Sequence, residues 1–179
     1  MGRMIADAQL AATAEESGAQ IAFMNPGGIR DEIAFDDETE GAVTYEQLHT
    51  VQPFNNILMT MTLTGEQIHE LLEQQFRDGE RDHILAVSHG FSYRWNPDAE
   101  IGERIEPDSI QLQGEPLDPD AQYRVTVNNF LADGGDGFTV LTEGTEVTGG
   151  MVDLEAFATY LEERSPAEPP QDERIHRVE

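Results

Sequence analysis

The stretch Asn128-Asn-Phe-Leu-Ala-Asp-Gly-Gly-Asp-Gly-Phe138 directly follows a predicted strand, Tyr123-Arg-Val-Thr-Val127. Its three glycines permit positive φ angles and a close approach of the backbone. A glycine-rich loop at the end of a strand is a common place for a binding site. An aromatic ring and a carboxylate on one tight loop can stack on a flat ligand and hold a hydroxyl group. On its own, the stretch fits a plain turn with Phe130 and Phe138 in the core at least as well.

Charge and composition limit the classes of partner. The 179 residues suit one domain with a sizeable core. Asp plus Glu number 36 against 10 basic residues, all of them Arg, so the formal net charge is −26. So negative a field argues against nucleic acid or an anionic membrane as the main partner. The absence of cysteine excludes disulfides, thiolate metal sites and a cysteine nucleophile, and no apolar run reaches the ~18 residues of a membrane span.

Hydrophobic periodicity predicts a mixed α/β fold with helices packed on mixed β-sheets. Helices are expected at 2–17, from a capping box at Thr44 to before Pro53, from a second capping box at Thr64 to about Arg77, and from a cap at Asp153. Strands are expected at 20–24, 56–63, 84–87, 91–95, 104–113 and 122–127, with 139–141 extended and 36–41 an acidic turn. The predicted domain covers 1–164, and 165–179 hold a Pro-rich acidic linker and a small terminal strand at 174–178.

Three loops carry side chains of the kind that bind ligands: 25–30, 52–56 and 128–138. Arg30 is the natural anion site, because guanidinium makes paired hydrogen bonds to phosphate, and Gly28 leaves its backbone N–H accessible beside it. Phe54 stands on a turn beside Pro53, and the carboxylate of Asp136 suits a vicinal diol such as ribose. Each has a plainer alternative: a salt bridge for Arg30, a core position for Phe54 and turn stabilisation for Asp136. Together they match the phosphate, base and ribose of a nucleotide.

The same three loops resemble a known family. Asn25-Pro-Gly-Gly-Ile-Arg30, Val51-Gln-Pro-Phe-Asn-Asn56 and Asn129-Phe-Leu-Ala-Asp-Gly-Gly-Asp-Gly-Phe138 occur in the order and spacing of the C-terminal domain of the 5′-nucleotidase family. The segment Gly65-Glu-Gln-Ile-His-Glu-Leu-Leu72 and the final helix also resemble it, so the resemblance covers nearly the whole chain. It implies that this domain recognises the nucleotide, while a separate N-terminal metallophosphoesterase domain hydrolyses it.

The resemblance also implies roles for individual residues. Phe54 and Phe130 would stack on the two faces of the base, Asp136 would bind the ribose hydroxyls and Arg30 the phosphate. The positions that would contact the base by hydrogen bonding or through the backbone are Asn25, Asn56 and Gly90. Two positions depart from the usual pattern, Pro26 and Asn55, where small residues or glycine are common. A second phosphate-binding Arg of the family would lie upstream of this sequence, and Arg3 does not correspond to it.

Catalytic metal ligands are not evident in the sequence. The family's catalytic domain carries Asp-x-His, Gly-Asn-His-Asp/Glu and Gly-His-x-His patterns, and none occurs here. His69 lies near Glu66 and Glu73 on a helix face, where a solvated polar surface is expected rather than a metal site. We therefore expect no cofactor in this chain and two divalent metals, such as Zn or Mn, in the N-terminal domain. The chain alone is expected to bind nucleotide weakly and to hydrolyse nothing.

Several functions remain open at this point. The parent enzyme would be a nucleoside 5′-monophosphatase, and the alternatives are a nucleotide-sugar hydrolase, a 2′,3′-cyclic phosphodiesterase or 3′-nucleotidase, and a stand-alone nucleotide-binding module. Since the sequence opens directly on a helix-like segment, we expect it to be a piece of a longer protein. Its expected partners are a nucleotide or nucleoside and the N-terminal domain, with no nucleic acid and no membrane span. The resemblance implies an extracellular, periplasmic or cell-surface location.

Overall fold

The computed structural model describes residues 1–34 and 40–178, so the predicted acidic turn at 36–41 falls almost wholly outside the described residues. The helices are α1 Gly2–Ser17, α2 Tyr45–Val51, α3 Gly65–Glu73, α4 Asn129–Ala132 and α5 Asp153–Glu163. The strands are β1 Ile21–Met24, β2 Ile57–Thr64, β3 Ala86–Val87, β4 Phe91–Trp95, β5 Gln111–Leu112, β6 Glu115–Pro116, β7 Gln122–Asn128, β8 Thr145–Val152 and β9 Ile175–Arg177.

The strands form two mixed sheets, which confirms the predicted mixed α/β class. The larger sheet has the order β3-β1-β7-β2-β8, in which only β1 and β7 are parallel. The smaller has the order β6-β5-β4-β9, in which β4 and β9 are parallel. The predicted terminal strand is therefore confirmed as β9, which pairs with β4 through Tyr93 and Ile175.

The larger sheet is buried on both faces at β1, because this strand is apolar at four successive positions whose side chains point to alternate faces. In β1, Ile21 and Phe23 belong to a core shared with α3 and the smaller sheet. Met24 points to the opposite core, which is formed with α1, α2 and α5. All four residues of β1 are buried. Because both of its faces are packed, the carboxyl end of β1 holds the start of the following loop in a fixed position.

Local signals correctly placed the starts of α1, α2 and α3, whereas α4 lies in a stretch predicted as a loop. At both predicted capping boxes the threonine hydroxyl accepts from the N3 backbone N–H and the N3 glutamine accepts from the threonine N–H. Helix α5 differs by one position: Val152 is the cap residue, and Asp153 accepts from the adjacent Leu154 N at 2.8 Å. Helix α3 ends at Glu73 rather than near Arg77. The side-chain amide of Gln75 bonds to Leu72 O at 2.8 Å and helps to end the helix there.

Three predictions about strands were wrong or incomplete. The single strand at 104–113 is broken, because Pro107 cannot donate to a ladder and begins a 3₁₀ turn. The predicted extended segment at 139–141 is instead a 3₁₀ helix, Thr139–Glu143, with Val140 buried. Strand β8 was not predicted, because its residues lie on an exposed sheet edge and Gly149 and Gly150 weaken the strand pattern.

Candidate functional site

The three loops meet at one edge of the larger sheet. Since β1 and β7 are parallel neighbours, their carboxyl ends, Met24 and Asn128, lie side by side. Strand β2 is antiparallel to β7, with Leu58 paired to Asn128, so its amino end lies at the same edge. The loops at 25–30, 52–56 and 128–138 therefore leave the sheet together, where crevices at the carboxyl ends of strands commonly bind ligands.

A chain of side-chain hydrogen bonds joins the first and third loops. Asn128 Nδ2 donates to Asn25 Oδ1 at 2.9 Å, and Asn25 Nδ2 donates to Asp136 Oδ2 at 2.8 Å. Asn25 and Asn128 are buried, whereas Asp136 is half-buried. Asp136, the residue predicted to bind the ribose, therefore lies at the accessible end of a network whose other members are buried. Asn128 received no role from the sequence.

Asp136 has a left-handed backbone, with φ of 53°. Asp tolerates this region better than most residues, and flanking glycines reduce the strain of the turn. Arg77 holds the turn from the other side, because its Nη2 donates to the carbonyl oxygen of Asp136. A Cβ at Gly137 would lie 2.6 Å from Arg77 Nη1, so another residue there would displace the guanidinium, and the φ of 73° at this position also favours glycine. Arg77 lies 59 residues away in the chain, and no local pattern indicates this contact.

The two predicted stacking rings are exposed at this edge. Phe54 is 55% exposed and Phe130 is 45% exposed, while Phe138 is fully buried. The plain-turn alternative, which puts both loop rings in the core, is thus wrong for Phe130 and confirmed for Phe138. Gly135 lies directly against Phe130, since a Cβ there would lie 2.6 Å from Cε1 and Cζ of the ring. An exposed aromatic ring supported from behind is suited to stacking on a flat ligand.

The second loop is shaped by two asparagines. Asn55 has a φ of 50°, which explains why asparagine can stand where glycine is common. Asn56 holds the start of α5: its carbonyl accepts from Asp153 N at 2.8 Å, and its side chain hydrogen-bonds the Asp153 carboxyl. Burial raises the pKa of Asp153, and the hydrogen bonds of Leu154 and Asn56 oppose that rise. The side chain of Asn56 therefore already has a structural partner.

Arg30 and Gly28 lie together in the first loop. The Arg30 side chain is exposed, and its Nη1 lies 3.4 Å from Gly27 O. Within residues 1–34 and 40–178 it forms no ion pair, so the salt-bridge alternative finds no partner among the described carboxylates. Gly28 is buried, and a Cβ there would lie 2.6 Å from Met24 Cε. The prediction that its N–H is accessible is wrong, because this N–H donates to Asn25 O at 3.2 Å. Arg30 thus leaves a cation available at this edge of a strongly acidic protein.

Gly90 is not brought to this edge. Strand β3 runs antiparallel to β1, with Phe23 paired to Val87, and Ser88 Oγ then accepts from Ala22 N at 2.9 Å. Gly90 therefore follows β3 toward the amino end of β1, away from Asn25. Its φ of 81° and its hydrogen bond from Gln113 N at 2.6 Å give it a role in a turn of the smaller sheet.

The described residues contain neither a metal centre nor a membrane span. No group of three or more His, Asp or Glu side chains converges to hold a metal in the part of the chain that the structure describes. The two metals that the resemblance implies are expected in an N-terminal domain and not among these residues. His69 Nε2 lies 3.8 Å from Glu73 Oε1, but that carboxylate oxygen is already bonded to Ile105 N at 2.6 Å. Among the described helices, none has the length and apolar character needed to span a bilayer.

The chain is similar in sequence to known proteins. A family described as 5′-nucleotidase, C-terminal domain, matches residues 1–143. A cell wall protein of Listeria monocytogenes is 33% identical over 171 residues, or 93% of this chain and 21% of that protein. The trifunctional nucleotide phosphoesterase of Bacillus subtilis is 34% identical over 185 residues, or 99% of this chain and 12% of that protein. This chain thus spans less than a quarter of either relative.

The chain also shares its fold with a solved structure. The crystal structure of a 5′-nucleotidase precursor from Thermus thermophilus has a TM-score of 0.86 and 36% sequence identity to this chain. The match covers 99% of this chain and 35% of that structure. The similarity therefore includes the sheet edge at which Asn25, Phe130 and Asp136 meet.

Proposed function

Because this chain belongs to the 5′-nucleotidase C-terminal domain family, we propose that it is the nucleotide-recognition domain of a hydrolase that cleaves phosphate from nucleoside 5′-monophosphates. The observation that carries the proposal is the third loop. An exposed ring, Phe130, lies on α4, and a half-buried carboxylate, Asp136, lies six residues later on the glycine-rich turn that follows. That pairing matches two parts of a ribonucleoside, the flat base and the ribose diol.

Each chemical part of the nucleotide has a candidate partner. The base stacks between Phe54 and Phe130, and such contacts contribute about 1–3 kcal/mol each. The ribose hydroxyls donate to the carboxylate of Asp136, and the phosphate binds the guanidinium of Arg30. Stacking is tolerant of base identity, so the domain would accept several nucleotides.

Hydrolysis belongs to another part of the protein in this proposal. The catalytic metals would be held by an N-terminal metallophosphoesterase domain, and the residues of this chain supply binding and orientation only. The relatives are several times longer than this chain, which leaves room for such a domain in them. The cell wall relative supports a location outside the cytoplasm.

The substrate range is a second question. The Bacillus subtilis relative is named as a trifunctional nucleotide phosphoesterase. That name favours a wider set of phosphate esters, including 2′,3′-cyclic nucleotides and 3′-nucleotides, as the second candidate. Stacking on Phe54 and Phe130 is compatible with both sets. A 2′,3′-cyclic phosphate removes both ribose hydroxyls, however, so it would not use Asp136 in the same way.

Saturation-transfer NMR on the 179-residue chain tests the proposal. We expect transfer to the base protons of adenosine and AMP at millimolar concentration, with competition between the two ligands. We also expect no phosphate release from AMP by the chain in the presence of Mn²⁺. Lack of transfer to either ligand would overturn nucleotide recognition. Mn²⁺-dependent phosphate release that survives purification would overturn the assignment of catalysis to another domain.

A further inference from the structure

The side chain of Asn25 is committed to the protein at both ends. It is 2% exposed; its Oδ1 accepts from Asn128 and its Nδ2 donates to Asp136. A group with both polar atoms engaged in a buried network is poorly placed to read the edge of a base. Its geometry instead suits the orientation of the carboxylate that it touches.

The direction of these hydrogen bonds is fixed by the backbone. Asn128 is the cap residue of α4, and its Oδ1 accepts from Leu131 N at 2.9 Å. A backbone N–H can only donate, so the other end of Asn128 must be its amide nitrogen, which donates to Asn25 Oδ1. Asn25 is then compelled to present its own amide nitrogen to Asp136. The group that Asn25 presents to the carboxylate of Asp136 is therefore always a hydrogen-bond donor.

Only one of the two carboxylate oxygens of Asp136 is therefore held by the protein. Its Oδ2 accepts from Asn25, while Oδ1 receives no hydrogen bond from the described residues. Arg77 fixes the backbone of the same residue through its carbonyl oxygen. With one oxygen and the backbone both held, the remaining oxygen points in a single direction, available to a ligand hydroxyl.

The first loop packs closely over this contact. A Cβ at Gly27 would lie 3.5 Å from Asn25 Nδ2 and 3.6 Å from Asp136 Oδ2. A Cβ at Gly28 would lie 3.0 Å from Asn25 Oδ1. A side chain at Gly28 would therefore crowd the oxygen with which Asn25 accepts from Asn128, and Gly27 lies beside the hydrogen bond from Asn25 to Asp136.

We propose that Asn25 is a positioning residue for ribose recognition, which holds Asp136 in the orientation that accepts the sugar hydroxyls, rather than a contact to the base. This inference rests on the proposed function and deepens it. In this proposal, the domain prefers a ribose with free hydroxyls because Asn128, Asn25 and Asp136 form a chain of hydrogen bonds that orients the carboxylate.

The experiment compares two ligands that differ only in the sugar hydroxyls. Calorimetry gives the Kd of adenosine and of 2′,3′-dideoxyadenosine for the parent chain, Asn25→Ala, Asn25→Leu and Asp136→Ala. We expect the parent to prefer adenosine by about 10-fold or more, as for a hydrogen bond to a charged group. Both Asn25 variants should lose most of this preference with unchanged affinity for the dideoxy ligand. Asn25→Ala should have no further effect in the Asp136→Ala background.

The outcomes separate the two proposals. If the Asn25 variants weaken both ligands equally, Asn25 contacts the base and the inference is overturned, while nucleotide recognition stands. If the parent binds both ligands equally well, Asp136 does not read the ribose and the inference also fails. If the parent binds neither, the proposed function itself fails. Asn96→Ala, in the turn that follows β4 of the smaller sheet, serves as the control and should keep both affinities.

A measurement on the unmodified chain covers the case in which the Asn25 variants do not fold. The side-chain amide signals of Asn25 in ¹H–¹⁵N spectra report directly on its contact with Asp136. They should shift on addition of adenosine and stay in place on addition of the dideoxy ligand at equal saturation. Equal shifts with both ligands would indicate direct contact with the base and would overturn the inference.

Discussion

Asn129 Oδ1 accepts a hydrogen bond from Ile57 N at 2.9 Å, and this contact ties the loop that carries Phe54 to the helix that carries Phe130. The adjoining pair, Leu58 and Asn128, is held by the ladder between β2 and β7. The two exposed rings therefore project from elements whose relative position is fixed before any ligand arrives. Such preorganisation reduces the entropy lost on binding.

The first prediction concerns these two rings. Phe54→Ala and Phe130→Ala should each weaken adenosine binding by about 1–3 kcal/mol, because each removes one stacking contact. Their unfolding free energies should change little, since both side chains are exposed. Calorimetry and urea denaturation measure the two effects. Ile101→Ala, which removes another exposed apolar side chain, is the matched control. Adenosine affinity equal to that of the parent in both Phe variants would contradict the stacking role.

The second prediction concerns the support of Phe130. Gly135→Ala should weaken adenosine binding, because the new Cβ would lie 2.5 Å from Phe130 O and 2.6 Å from the ring, so the ring must move. Gly149→Ala is the control, because its Cβ would make only ordinary contacts, the nearest at 3.6 Å from Met59 Sδ. Both variants add one methyl group to a glycine. Calorimetry should show weaker binding for Gly135→Ala alone, and a similar loss in both would argue against a specific support.

The third prediction separates phosphate from nucleoside recognition. Arg30→Ala should weaken AMP binding by about tenfold, the effect of losing a charge-assisted hydrogen bond, and leave adenosine binding unchanged. The control is Arg94→Ala, which removes an exposed arginine from the smaller sheet and the same charge from the protein. Calorimetry with both ligands gives the comparison. If Arg94→Ala weakens AMP binding as much as Arg30→Ala, the effect comes from net charge and Arg30 has no specific role.

The sequence predicted local features better than distant contacts. The two capping boxes were readable because the threonine and its glutamine partner are three residues apart. The short β5 and β6 and the exposed β8 depend on pairing with other strands, which no local pattern reveals. Arg174 shows the same limit, since its buried partner Asp7 lies 167 residues away.

In the candidate site too, the sequence predicted the residues that would contact a ligand but not the contacts that support them. Arg30, Phe54, Phe130 and Asp136 stand out as residue types on loops, and the structure brings their loops to one edge. Their supports could not be predicted in this way. Asn129 meets Ile57 across 72 residues, and Asn25 meets Asp136 across 111. Each support is an ordinary polar residue whose function depends entirely on the partner that the fold supplies.

The fourth prediction concerns the buried ion pair between Asp7 and Arg174. Arg174 Nη1 and Nη2 lie 2.7 and 2.9 Å from the two carboxylate oxygens of Asp7, with the side chains 4% and 5% exposed. Arg174→Met should lower the unfolding free energy by about 3–5 kcal/mol, because it leaves a buried carboxylate without its cation. Urea denaturation measures this.

A surface arginine provides the control for that variant. Arg164→Met removes a side chain that is 47% exposed and whose ion pair is with the adjacent Glu163, and should cost about 0–1 kcal/mol. Combining Asp7→Asn with Arg174→Met should cost less than the sum of the two single variants, since the pair is then removed together. Full additivity would show that the two residues do not stabilise each other.

The fifth prediction is a pH dependence of opposite sign at two aspartates. Burial raises the pKa of Asp153 above its ordinary value of 3.8, so the folded state binds this proton more tightly than the unfolded state. Its contribution to stability is therefore full below pH 3.8 and falls as the pH rises through the raised pKa.

Asp172 is the counterpart, because the hydrogen bond from Arg174 lowers its pKa. Its contribution to stability is lost as the pH falls through that lowered value. Relative to Asp153→Asn, the parent should lose stability as the pH rises from 3.8 through the raised pKa of Asp153. Relative to Asp172→Asn, it should gain stability as the pH rises through the lowered pKa of Asp172 toward 3.8. Urea denaturation across this range measures both differences. The same sign of slope for both variants would contradict the burial of Asp153.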